Sequence, residues 1–181
     1  MGPRLSLTPQ RGPYAQRGVS LVEALVALLV LSIGMLGIAG LFVESVRNSR
    51  SALLRSQAVN LVADMADRIR ANAGAAQAYD SSLYTGDPAT QGCAPSSGDT
   101  GNNCSPAELA QDDLARWAAA VRAALPAIGE QPVVARVDYL APVAAGSPER
   151  YQITVAWREP GEPEPYSYRS DVLIMPRGPL T

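Results

Sequence analysis

Between Val19 and Val43 the chain reads VSLVEALVALLVLSIGMLGIAGLFV, and nineteen of these 25 residues are apolar. The exceptions are Ser20, Glu23, Ser32, Gly34, Gly37 and Gly40. As a helix this run is roughly 37 Å long, enough to cross the ~30 Å hydrocarbon core of a bilayer. A secretory signal peptide has a shorter apolar core of about 7–15 residues followed by small residues. Here the core is longer, and LFVESVRNS follows it. A plain membrane anchor explains the length and the hydropathy but not Glu23. A charge at the centre of an apolar span costs on the order of 3 kcal/mol on insertion scales. Near the helix start the cost is smaller, because the helix dipole favours an anion there. Glu23 therefore asks for a function.

Upstream, residues 1–18 hold Arg4, Arg11 and Arg17, no acid, and the helix breakers Gly12 and Pro13. The junction Arg17-Gly18-Val19-Ser20-Leu21-Val22-Glu23, followed by the apolar run, resembles the class III signal of type IV prepilins and type II secretion pseudopilins. The resemblance implies that a prepilin peptidase cuts between Gly18 and Val19, on the cytoplasmic side, and that the new Val19 amine is methylated. It implies that Glu23, fifth after the cut, meets the N-terminal amine of a neighbouring subunit during assembly. Most members carry phenylalanine where Val19 stands. An acid and an amine buried together in an apolar filament core would each need such a partner.

Composition narrows the chemistry of the remainder. The chain has no histidine, and all 15 of its basic residues are arginine. Imidazole bases, His ligands, P-loop lysines and Schiff-base lysines are excluded. The net charge of -2 and the lack of a basic patch give no footprint for nucleic acid. No cofactor or metal site is expected. Cys93 and Cys104 flank ten residues in QGCAPSSGDTGNNCS. In an oxidising compartment they would form a disulfide worth roughly 3 kcal/mol on the chain-entropy model. Otherwise they are free thiols.

Residues 44–73 continue the helical pattern, with Val46, Leu53, Leu54, Ala58, Leu61, Val62, Met65 and Ile69 on one stripe and no proline from Val19 to Ala73. Gly74 is the expected stop. Residues 75–105 read as a long polar loop with room for short ordered pieces. A second helix is expected after the capping box Ser105, Pro106 and Glu108, with Ala110, Leu114, Trp117, Val121 and Leu125 buried and Pro126 ending it. On it, Asp112 and Asp113 read as a solvated face. Three strands are expected, over residues 132–140, 150–158 and 166–175, with Val133, Ala135, Val137 and Tyr139, then Tyr151, Ile153, Val155 and Trp157, then Tyr166, Tyr168, Val172 and Ile174 on the apolar faces.

The expected fold class is therefore α+β, pilin-like: a long N-terminal helix, transmembrane then amphipathic, packed on a small antiparallel β-sheet. The expected parts are a leader (1–18), a membrane or filament-core helix (19–43), its amphipathic continuation (44–73) and a periplasmic region (74–181). LSIGMLGIAGL and CSPAELAQDDLARWAAAVRAALP resemble the minor pilins known as type IV pilus modification proteins. That resemblance implies a non-enzymatic subunit of the inner membrane and the pilus. Its implied partners are the prepilin peptidase, other minor pilins and the major pilin. The alternatives are a type II secretion pseudopilin and a membrane-anchored periplasmic enzyme or binding protein.

Overall fold

The computed structural model describes residues 18, 20–86, 88–93, 103–127, 133–144, 146–159, 162 and 164–175. Of the leader expected over residues 1–18, residues 1–17 lie outside the described residues, as does Val19. The chain divides into two compact units, Met1–Val46 and Arg47–Thr181.

Helix α1 runs from Leu21 to Ala71. Its Glu23 lies in the first turn, and the Ala24 N–H bonds to the Ser20 carbonyl at 3.1 Å. In the first unit every helical residue from Leu21 to Val46 is exposed. The helix is long and apolar enough to cross a membrane. The Ser32 hydroxyl donates to the Leu28 carbonyl at 2.7 Å, so it adds no unsatisfied donor to that surface. Among the described residues, a side chain added at Gly34, Gly37 or Gly40 would meet nothing within 4 Å.

In the second unit α1 buries Leu54, Ala58, Val62, Met65, Ala66 and Ile69. Spacings of three and four keep these side chains on one face. The expected stripe is corrected at two positions. Val46 and Leu53 are exposed, and Ala66 takes a place in the core instead. The helix also ends at Ala71 rather than Ala73, and Gly74 falls inside a following 3-10 helix, Ala73–Tyr79. Asn72 explains the early stop. Its side-chain amide donates to the Pro106 carbonyl at 2.8 Å and to the Tyr79 hydroxyl at 3.3 Å, holding the chain in the turn. A second 3-10 turn, Ser81–Leu83, follows.

Helix α2 spans Pro106–Ala124 and begins with the expected capping box, Ser105 and Glu108 bonding reciprocally. Ala110, Leu114, Trp117, Val121 and Leu125 are all buried, and the Trp117 indole N–H donates to the Leu61 carbonyl at 2.8 Å. Strands β1 (Val134–Leu140), β2 (Glu149–Trp157) and β3 (Tyr166–Ile174) form an antiparallel meander in the order β1-β2-β3. Val137 pairs with Ile153, which pairs with Ser170, so the apolar faces of all three strands align. Tyr151, Ile153, Val155 and Trp157 are buried along β2. They share one core with α1, α2 and the first 3-10 helix. The result is α+β, with the C-terminal half of α1 packed on a three-stranded sheet.

Ile153 is fully buried at the middle of the central strand. Ile153→Ala is expected to destabilise the domain by about 2–5 kcal/mol, through lost transfer energy and the cavity left behind. A lowered midpoint in urea unfolding followed by circular dichroism would measure this.

Candidate functional site

Two separate groups of residues carry chemistry, one in each unit. In the first, Gly18 is exposed just before α1, and Glu23 is exposed in its first turn. Among the described residues nothing covers Glu23. Its carboxylate is set among Leu21, Val22, Leu25 and Val26, all exposed. An anion on an apolar helix surface can be buried against lipid or protein only with a cationic or hydrogen-bonding partner.

The second unit brings Cys93 and Cys104 together as a disulfide, with Cα atoms 5.8 Å apart. It also overturns the reading of Asp112 and Asp113 as a solvated face. Both are buried, with 1% and 8% of their surfaces exposed. Asp112 Oδ1 accepts the backbone N–H groups of Gln91 at 2.7 Å and Gly92 at 3.1 Å, and its Oδ2 accepts Arg116 Nε at 2.7 Å. Burial pushes the Asp112 carboxyl up. The Arg116 guanidinium and the two amides outweigh it, so the group stays below the usual carboxylate range. Since Gln91 and Gly92 directly precede Cys93, Asp112 pins the segment leading into the disulfide onto α2.

Asp113 does the same for the helix junction. Its Oδ1 accepts Arg68 Nη1 at 2.8 Å, and its Oδ2 accepts the Tyr79 hydroxyl at 2.7 Å. Arg68 also reaches Asp64 at 2.9 Å. Burial lowers the Arg68 guanidinium, but Asp64 and Asp113 raise it further, so it stays charged. Burial pushes the Tyr79 phenol up, with the Asp113 carboxylate adding to the effect, so it remains a neutral donor. One carboxylate thus joins α1, the first 3-10 helix and α2. A signal for Asp113 was present: it stands three residues after Ala110 and four before Trp117, on the buried face. Among the described residues no group of three or more Cys, Asp or Glu could hold a metal ion.

Comparison with known families bears on both units. Residues 14–39 match the prokaryotic N-terminal methylation motif, and residues 40–115 match the type IV pilin Tt1218 family. The chain is type IV prepilin-like. No curated protein and no solved structure matches it. The motif implies processing by a prepilin peptidase and assembly with other pilins. The prepilin-like chain therefore has a pilin-type role in a pilus or pseudopilus, and its apolar N-terminal helix suits membrane anchoring. The second match takes in Arg68, Tyr79, Cys93, Cys104, Asp112 and Asp113.

The depressed Asp112 carboxyl has a defined pH signature. A group held below its unfolded value stabilises the fold above that value and loses the effect as pH falls through the folded one. Asp112→Asn should therefore lower the urea midpoint at pH 7. The gap to wild type should close as pH drops below about 4, the ordinary carboxylate range. A gap independent of pH would contradict the charged role.

Proposed function

We propose that this chain is a minor pilin, a non-enzymatic subunit that helps prime type IV pilus assembly. The observation carrying this reading is the exposed Glu23 carboxylate on an otherwise apolar, uncovered helix, five residues after Gly18. After cleavage between Gly18 and Val19, the new amine is the one cation that a neighbouring subunit always brings into the filament core. Glu23 and that amine satisfy each other, and neither is left buried alone. The helix from Leu21 to Val43 first holds the chain in the inner membrane and then packs among other pilin helices. Gly34, Gly37 and Gly40 leave its surface flat enough for close helix approach.

The parts follow from this reading: a removed leader (1–18), the membrane and filament helix (19–43), its amphipathic continuation (44–73) and a periplasmic domain (74–181). An oxidising periplasm accords with the Cys93–Cys104 bond. The partners are the prepilin peptidase, other minor pilins and the major pilin. Twitching motility and adhesion are the processes that such a subunit serves. The stretch CSPAELAQDDLARWAAAVRAALP favours the pilus over a type II secretion pseudopilus, through its likeness to type IV pilus modification proteins.

Glu23→Val tests the mechanism. The variant should be made and processed like wild type, because the cut lies five residues away. Its amount in sheared pili should fall at least tenfold by immunoblot. Normal incorporation would refute the role given to the carboxylate.

A further inference from the structure

The sheet has two edges, and the chain treats them differently. On β1 the Ser81 hydroxyl donates to the Val137 carbonyl at 2.7 Å and accepts the Val137 N–H at 2.8 Å. The Tyr139 N–H reaches Asp80 Oδ2 at 3.4 Å. This edge is occupied by the chain itself. The same bonds fix which groups face the other edge. The Val137 backbone faces away from β2, so its partner Ile153 faces β3, where it pairs with Ser170. The Ser170 backbone therefore points inward, and the backbones of Ser167, Arg169, Asp171 and Leu173 point outward. Among the described residues no hydrogen bond reaches those outward groups. The β2–β3 register runs unbroken from Tyr166 to Ile174, with no bulge and no proline.

Charged side chains usually guard an open edge against pairing. The charges of β3 do the opposite in one arrangement. The strand reads YSYRSDVLI, with Ser170 at its centre, a cation on one side of it and an anion on the other. Laid antiparallel against a second β3 with Ser170 opposite Ser170, Arg169 of each copy faces Asp171 of the other. Ser167 then faces Leu173. All four of these residues point their backbones outward, so each exchanges N–H and C=O bonds with its counterpart. On the core-facing side the same register sets Tyr168 against Val172 and Tyr166 against Ile174, aromatic against β-branched. A slide of one residue brings outward groups opposite inward ones. A slide of two puts Arg169 opposite Arg169 or Asp171 opposite Asp171. Both charges are available for the pairing. Arg169 has no ion-pair partner among the described residues, and Asp171 meets only the neutral Gln152 amide, at 3.2 Å.

We propose that the outer edge of β3 pairs with β3 of a second copy of this chain, antiparallel about a two-fold axis at Ser170. Main-chain bonds join the two sheets into one, and the crossed Arg169–Asp171 pairs select the register. The occupant follows from self-complementarity: the strand that this edge asks for is its own.

Ser170→Cys places two thiols across the axis. Facing Cα atoms of such a non-hydrogen-bonded pair lie about 4.5 Å apart, within reach of a disulfide. Cys93 and Cys104 are already bonded to each other. Membranes from cells producing the full chain are oxidised with copper phenanthroline and run on a non-reducing gel. Ser170→Cys should give a covalent dimer. Ser167→Cys, which faces Leu173 rather than itself, should not. Sedimentation of the full chain in density-matched detergent then tests the charges. Arg169→Asp or Asp171→Arg alone sets like charges opposite each other and should weaken the dimer roughly tenfold at an unchanged thermal midpoint. The double exchange restores opposite pairing between two copies and should return the dimer constant to within about threefold of wild type. A monomeric wild type, equal linking of the two cysteine variants, or single reversals without effect overturns the proposal. A double exchange as weak as the single ones also overturns it, because only pairing with a second copy lets the swapped charges meet. Neither readout depends on cleavage after Gly18 or on pili, so failure here leaves the pilus reading to its own test.

Discussion

An apolar helix that its own chain leaves uncovered is the constraint on which everything else here depends. From Leu21 to Val46 no helical residue is buried. In water that surface would aggregate, so it belongs in lipid or against other helices. Glu23 turns this general demand into a specific one. A lone carboxylate on that surface can move from bilayer to filament only if the filament supplies a partner charge. In the proposed reading, cleavage after Gly18 supplies it, by creating an amine at the neighbouring helix start.

The second unit answers a different problem. A small domain must hold the amphipathic half of α1 firmly enough to present it in one orientation. Apolar packing around Met65, Trp117 and Ile153 supplies the core. The buried carboxylates of α2 add direction. Asp113 ties α1 and the first 3-10 helix to α2 through Arg68 and Tyr79, and Asp112 anchors the arm that enters the disulfide. Breaking either set would leave a charge buried without its partner, which costs more than the intact bonds contribute. These carboxylates therefore specify how the elements meet.

Most of the architecture was legible in the sequence, because it rests on local periodicity. The 3.6-residue stripe of α1, the capping box of α2 and the period of two in β2 each reflect a single element facing one core. What was not legible depends on contacts between distant segments. The short 3-10 pieces at Ala73–Tyr79 and Ser81–Leu83 could not be placed within the expected loop, since the partners of Asn72 and Ser81, Pro106 and Val137, are far along the chain. Asp112 and Asp113 were misread because charge was weighed above position: their burial requires Arg116 and Arg68 to arrive from the same and a different helix. Leu53 looked like core by spacing but lies just off the contact face, where Ala66 fits instead. The N-terminal methylation motif matched over residues 14–39 is a linear feature, which is why Gly18 and Glu23 could be proposed from the sequence alone.

The N-terminus of the mature chain decides whether this protein is a processed pilin-type subunit. Expression with and without a prepilin peptidase, followed by N-terminal sequencing and intact mass, addresses it directly. With the peptidase, the chain should begin at Val19 and carry one methyl group on its amine. Without it, residues 1–18 should remain. A chain that stays uncut in both cases, or that begins at any residue other than Val19, would contradict the account.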